Sequence, residues 1–65
     1  MKLYRLITGP DDANFCFRVT EALNKGWELH GAPTLTHDGK TAIAGQALLK
    51  EAEGIFTSDI DFHNL

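Results

Sequence analysis

Cysteine, proline, aromatic rings and basic charge are all scarce in this chain. One cysteine, Cys16, in 65 residues excludes an internal disulfide. Three scattered histidines beside it provide no Cys-rich set for a structural zinc site. Six Lys and Arg against nine Asp and Glu leave a net charge of −3. The bases Lys2, Arg5, Arg18, Lys25, Lys40 and Lys50 lie far apart in sequence, which disfavours nucleic-acid binding, because that role needs clustered cations to displace counterions from phosphates. No apolar run approaches the roughly 18 residues of a membrane span, and Lys2 and Arg5 interrupt what would have to be the apolar stretch of a signal peptide. The expectation is a cytoplasmic protein with no membrane partner. Catalytic signatures are missing too: no G-x-S-x-G elbow, H-E-x-x-H or C-x-x-C occurs. Gly39-Lys40-Thr41 mimics the end of a P-loop, but Thr34 stands where the motif needs its first glycine.

What is present is one small domain. A chain of this length buries only about 60% of the surface its unfolded form exposes, so an added surface or partner is expected to stabilise it. Residues 1–50 carry six bases and five acids, while 51–65 carry Glu51, Glu53, Asp59 and Asp61 and no base. The division is a domain over 1–51 and an acidic, apolar-containing tail over 52–65.

Met1 to Thr8 reads as a first strand, ended by Gly9-Pro10. Alternation puts Tyr4 and Leu6 on one face and Leu3, Arg5 and Ile7 on the other, and the charge of Arg5 marks its row as the less buried. A helix is expected over 11–25, with Pro10 at its first position and Asp11 and Asp12 at the positive end of its dipole. Phe15, Cys16, Val19, Ala22 and Leu23 form its apolar stripe, and Gly26 ends it. Phe17 falls on the opposite side of that helix and points outward. Residues 27–36 and 41–50 flank Asp38-Gly39 as a two-residue hairpin, so that residues summing to 77 face each other: Leu29 with Leu48, Thr34 with Ile43, Leu35 with Ala42. Trp27, Leu29, Leu35, Ala42, Ala44 and Leu48 then lie under the helix.

These elements predict an α+β fold of β-α-β-β order. One long helix covers one face of a three-stranded antiparallel or mixed sheet, half of a ferredoxin-like unit, with strand order 1-3-2 and a docking C-terminal tail. Ser58 with Asp59 and Asp61 is read as a possible opening of a very short helix in that tail.

With one helix, one sheet face stays open, and its apolar residues need cover. Leu3, Ile7, Phe17, Ile43, Leu49, Phe56 and Phe62 are the candidate interface residues. They point to a non-enzymatic module that self-associates, most simply as a homodimer, or that takes an unidentified protein partner. The competing reading is a small-ligand-binding protein or minor enzyme whose site, at a subunit interface, uses Arg5, Glu28 and His30. Neither reading calls for a cofactor or a metal ion. Cys16, on the apolar stripe, reads as a buried inert thiol, Asp11 and Asp12 as helix caps, His37 as a support of the turn, and His63 as at most an adventitious metal ligand with Asp59 or Asp61.

Three segments, Tyr4-Arg5-Leu6-Ile7-Thr8-Gly9-Pro10, Gly26-Trp27-Glu28-Leu29-His30-Gly31 and Gly45-Gln46-Ala47 with Lys50, resemble a small family of bacterial and viral proteins known as domain of unknown function seventeen thirty-seven. The resemblance covers residues 1 to about 51. It implies a cytoplasmic bacterial or phage protein, and it brings no activity, cofactor or catalytic residue with it.

Overall fold

The computed structural model describes residues 1–61 and 65. Strand β1 (Lys2–Pro10), helix α1 (Ala13–Asn24) and strands β2 (Glu28–His37) and β3 (Ala42–Glu51) follow in chain order. The sheet order is β1-β3-β2, with β3 antiparallel to both neighbours, as the sequence predicts.

The helix begins at Ala13, two residues later than the expected start at 11. Asp12 is the N-cap, its side chain accepting from the Phe15 amide at 3.1 Å, and Pro10 instead ends β1. The far end closes as a Schellman turn. The Trp27 amide donates to the Ala22 carbonyl and the Gly26 amide to that of Leu23, with Gly26 at φ +96°. The same turn drops Trp27 into the core beside Ala22, where both are buried with Leu3, Ile7 and Leu48.

That core corrects the reading of β1. Leu3 and Ile7, expected on the open face, are buried under the helix, while Tyr4 and Leu6 are exposed. The stripe of the helix is also narrower than expected: Phe15, Val19 and Ala22 face the sheet, whereas Cys16 is exposed and Leu23 largely so. The thiol is therefore not a buried one.

The hairpin departs from a two-residue turn. His37 pairs with Ala42, leaving Asp38 to Thr41 as the loop, and Thr34, Leu35 and Thr36 pair with Gly45, Ala44 and Ile43. The Asp38 carboxylate accepts from the Lys40 and Thr41 amides, both at 2.8 Å, which closes the longer loop. Between His30 and Thr34 a bulge inserts two extra residues and restores the expected pairing of Leu29 with Leu48. Gly31, at φ +75°, starts it, and the buried Gln46 amide holds its carbonyl at 3.2 Å.

The helix is too short for the sheet. Twelve residues span about 18 Å, against about 33 Å for ten-residue strands. The long dimension of the molecule is 42 Å and its radius of gyration 13.1 Å, where a compact chain of this length would have about 10.8 Å. Arg18 ties the helix to β1 by donating to the Thr8 carbonyl at 2.8 Å. Leu29 and Leu35 of β2, expected under the helix, are consequently left 54% and 67% exposed.

After β3 the tail turns at Gly54, and Ala52, Ile60 and Leu65 pack against the core cluster on the helix side. Trp27 Nε1 donates to the Leu65 carbonyl at 3.0 Å. Ser58 and Asp59 form a turn rather than the start of a helix.

Candidate functional site

The pairing registers define the open face row by row, because residues directly opposite in a sheet point to the same side. Its β1 column is Tyr4, Leu6 and Thr8. Its β3 column is Leu49, Ala47, Gly45 and Ile43, and its β2 column is Glu28, His30, Thr34 and Thr36. Tyr4 and Leu6 are 57% and 54% exposed; Leu49, Ala47 and Ile43 are half-buried by their neighbours. The face is thus divided lengthwise, apolar along β1 and β3 and polar along β2. Gly45 sits at its centre, where any side chain would force Thr34 to move: a Cβ there would lie 2.8 Å from Thr34 Oγ1.

Charges collect at the ends. At one end Lys2 stands opposite Glu51 in the β1–β3 register, and the Glu51 carboxylate pairs with the Met1 α-ammonium group at 3.3 Å. A hollow of about 280 Å³ lies there, lined by Lys2, Gly26, Glu28, Leu49, Lys50 and Glu51, two bases balanced by two acids. At the other end lie Asp11 and Asp12, after β1, and Lys40 in the hairpin loop. Asp38 in that loop has its carboxyl held below the ordinary value of 3.8 by hydrogen bonds from the Thr41 and Lys40 amides.

Of the residues singled out from sequence, Ile43 and Leu49 lie on this face. Leu3 and Ile7 are in the core instead. Phe17 is 70% exposed on the outer side of the helix, and Phe56 is exposed in the tail; neither adjoins the sheet face in sequence register. Phe62, with His63, lies outside the described residues. The polar trio is split: Glu28 and His30 stand on the open face, while Arg5, paired with Leu48, stands on the helix face. Among the described residues no cluster of three or more His, Cys, Asp or Glu side chains can hold a metal ion, and no helix is long and apolar enough to cross a membrane. Tyr4 and Leu6 are the most exposed apolar residues of the face, where the charge of Arg5 leads the sequence reading to place Leu3 and Ile7 instead.

Both free edges of the sheet carry obstacles to strand addition. The bonds from the Ala52 amide to the Met1 carbonyl and from the Asp11 amide to the Ala42 carbonyl set the phase of the β1 ladder. Odd-numbered residues of β1 therefore bond to β3, and the even-numbered backbone groups point outward. Arg18 occupies the outward carbonyl of Thr8, and Pro10 has no outward N–H to offer. The β2 edge is broken by the bulge and by Pro33.

The residues that carry the resemblance noted above do structural work. Gly9 leaves room for the Arg18 guanidinium, whose Nη1 would lie 3.2 Å from a Cβ there. Gly26 caps the helix, Trp27 fills the core, and Lys50 lies over the Trp27 ring at 6.0 Å. Gly31 and Gln46 shape the bulge, and Gly45 leaves room for Thr34 beside it. No curated protein and no solved structure matches the chain. Residues 1–51 match the family described as "Domain of unknown function (DUF1737)". That match takes in β1 through β3 whole, and the chain belongs to this family.

Proposed function

We propose that this domain is a non-enzymatic interaction module that associates with a second copy of itself through the open sheet face. The carrying observation is the apolar strip of Tyr4, Leu6, Ala47, Leu49 and Ile43, which the helix and the described residues of the tail leave uncovered, since Ala52, Ile60 and Leu65 pack with the helix on the other side. The guarded edges favour contact through the face over strand addition. Arg5 stands on the helix face, apart from Glu28 and His30 on the open face, which favours the interaction reading over a ligand site built on that trio.

Sedimentation equilibrium from micromolar to millimolar concentration tests the reading. The wild-type chain should approach twice its monomer mass, and Leu6→Asp and Leu49→Asp should each remain monomeric with an unchanged circular dichroism spectrum. A wild-type monomer at millimolar concentration would sink the proposal.

A further inference from the structure

Resting on that self-association, we infer that the two copies pack with their strands antiparallel, about a two-fold axis that lies between the sheets, perpendicular to the strands, at the level of Ile7 and Gln46. With the two sheets aligned, two face-to-face arrangements satisfy two-fold symmetry, with the axis along the strands or across them. If the axis ran along the strands, β1 of one copy would lie over β2 of the other. The apolar column of Tyr4 and Leu6 would then meet Glu28 and His30, and Glu51 would meet its own symmetry mate.

An axis across the strands avoids both conflicts. It lays β1 over the second β1 and β3 over the second β3, so apolar columns meet each other and the polar β2 columns meet each other. Ile7 and Gln46 are partners in one row, and reflection of the rows through that level pairs Leu6 with Thr8, Tyr4 with Pro10, Ala47 with Gly45 and Leu49 with Ile43. Along β1 the larger Leu6 and Tyr4 oppose the smaller Thr8 and Pro10, and along β3 the small Ala47 and Gly45 meet near the axis while Leu49 meets Ile43 farther out, with the sheets about 10 Å apart.

The ends then agree in charge. Lys2 overlies the Asp11-Asp12 turn of the second copy, and Glu51, which also pairs with the Met1 ammonium group of its own chain at 3.3 Å, overlies the second copy's hairpin loop at Thr41, next to Lys40. Each contact occurs twice. The face measures roughly 14 by 33 Å in plan, small beside the ~800 Å² of accessible surface that each partner buries in a standard interface. Association is therefore concentration-dependent, and the end charges have a measurable share in it.

Charge reversal with mixing tests the arrangement. Lys40→Glu alone sets Glu51 against a glutamate, and Glu51→Lys alone sets Lys40 against a lysine, each twice per dimer. Either variant by itself should dimerise roughly tenfold more weakly than the wild type at low ionic strength. An equimolar mixture of the two should form a heterodimer with wild-type affinity, because both contacts are again between opposite charges. Dimerisation that neither reversal weakens, or that mixing fails to restore, overturns this arrangement and leaves self-association standing. A wild-type monomer overturns both.

Discussion

Leu6 and Ile7 are neighbours in β1 that should respond in opposite ways to the same perturbation. Ile7 is 1% exposed, and its truncation to alanine should cost roughly 2–5 kcal/mol, the range for removing a buried branched side chain. A 65-residue domain has a total stability of roughly 3–10 kcal/mol, so Ile7→Ala should bring the chain near its unfolding threshold. Leu6→Ala, at an exposed position, should cost the isolated fold less than about 1 kcal/mol. The ranking reverses for association. Burying the exposed half of the Leu6 side chain, about 85 Å², contributes about 2 kcal/mol per copy at 25 cal/mol/Å². Over two copies that is about 4 kcal/mol, several hundredfold in dissociation constant, and Leu6→Asp forfeits it. Urea melts followed by circular dichroism at two protein concentrations separate the effects, because a dimer gains stability by mass action. The wild-type midpoint should rise with concentration; that of Leu6→Asp should not move. A dilute Leu6→Ala chain as unstable as Ile7→Ala would refute the assignment of the β1 rows.

Three further outcomes follow from particular contacts. Gln46→Ala removes the donor that holds the Gly31 carbonyl and should cost about 1–3 kcal/mol, with amide hydrogen exchange quickening at the bulge first; uniform quickening would contradict a local role. Asp38 has a folded pKa below 3.8, so its support of the hairpin loop is complete above that value and is lost as pH falls through the lowered folded value. The Lys40 and Thr41 amide resonances should record that step, and Asp38→Ala should abolish it. Arg18→Ala uncovers the outward Thr8 carbonyl and should speed assembly into β-rich aggregates, measured by thioflavin fluorescence at constant stirring; an unchanged lag time would show that Arg18 does not guard the edge.

The topology was legible because its signals were redundant. Gly26 and Trp27 mark the end of the helix, and Asp38-Gly39 marks a turn between two β-rich runs; a right-handed crossover then leaves β3 in the middle. Register was legible only in part, because two departures of equal size offset each other. The Asp38 carboxylate draws Thr41 into a four-residue loop, and the bulge at Gly31 to Pro33 takes up the two residues so displaced. A glycine and a proline inside a strand are a recognised sign of a bulge, and that sign was available. Since a shift of two residues preserves the face, Leu35 kept its side of the sheet while changing its partner.

The candidate site was read with β1 turned over, and the reason lies in how arginine is buried. Arg5 shares its row with Leu3 and Ile7, and a charge in the row suggests a wet face. Arginine, however, can lay its aliphatic stem along apolar surface while its guanidinium reaches solvent, and Arg5 is half-buried in the row that forms the core. Turning β1 over exchanges Leu3 and Ile7 for Tyr4 and Leu6 on the open face, so the apolar character of that face survives while half its members change. The motif residues act locally, Gly9 beside Arg18, Gly26 at the helix end, Trp27 in the core and Gln46 on the Gly31 carbonyl. Any function carried by the face therefore resides in side chains such as Tyr4, Leu6 and Leu49, whose identities the fold itself does not demand, and substitutions there can change association while leaving the fold in place.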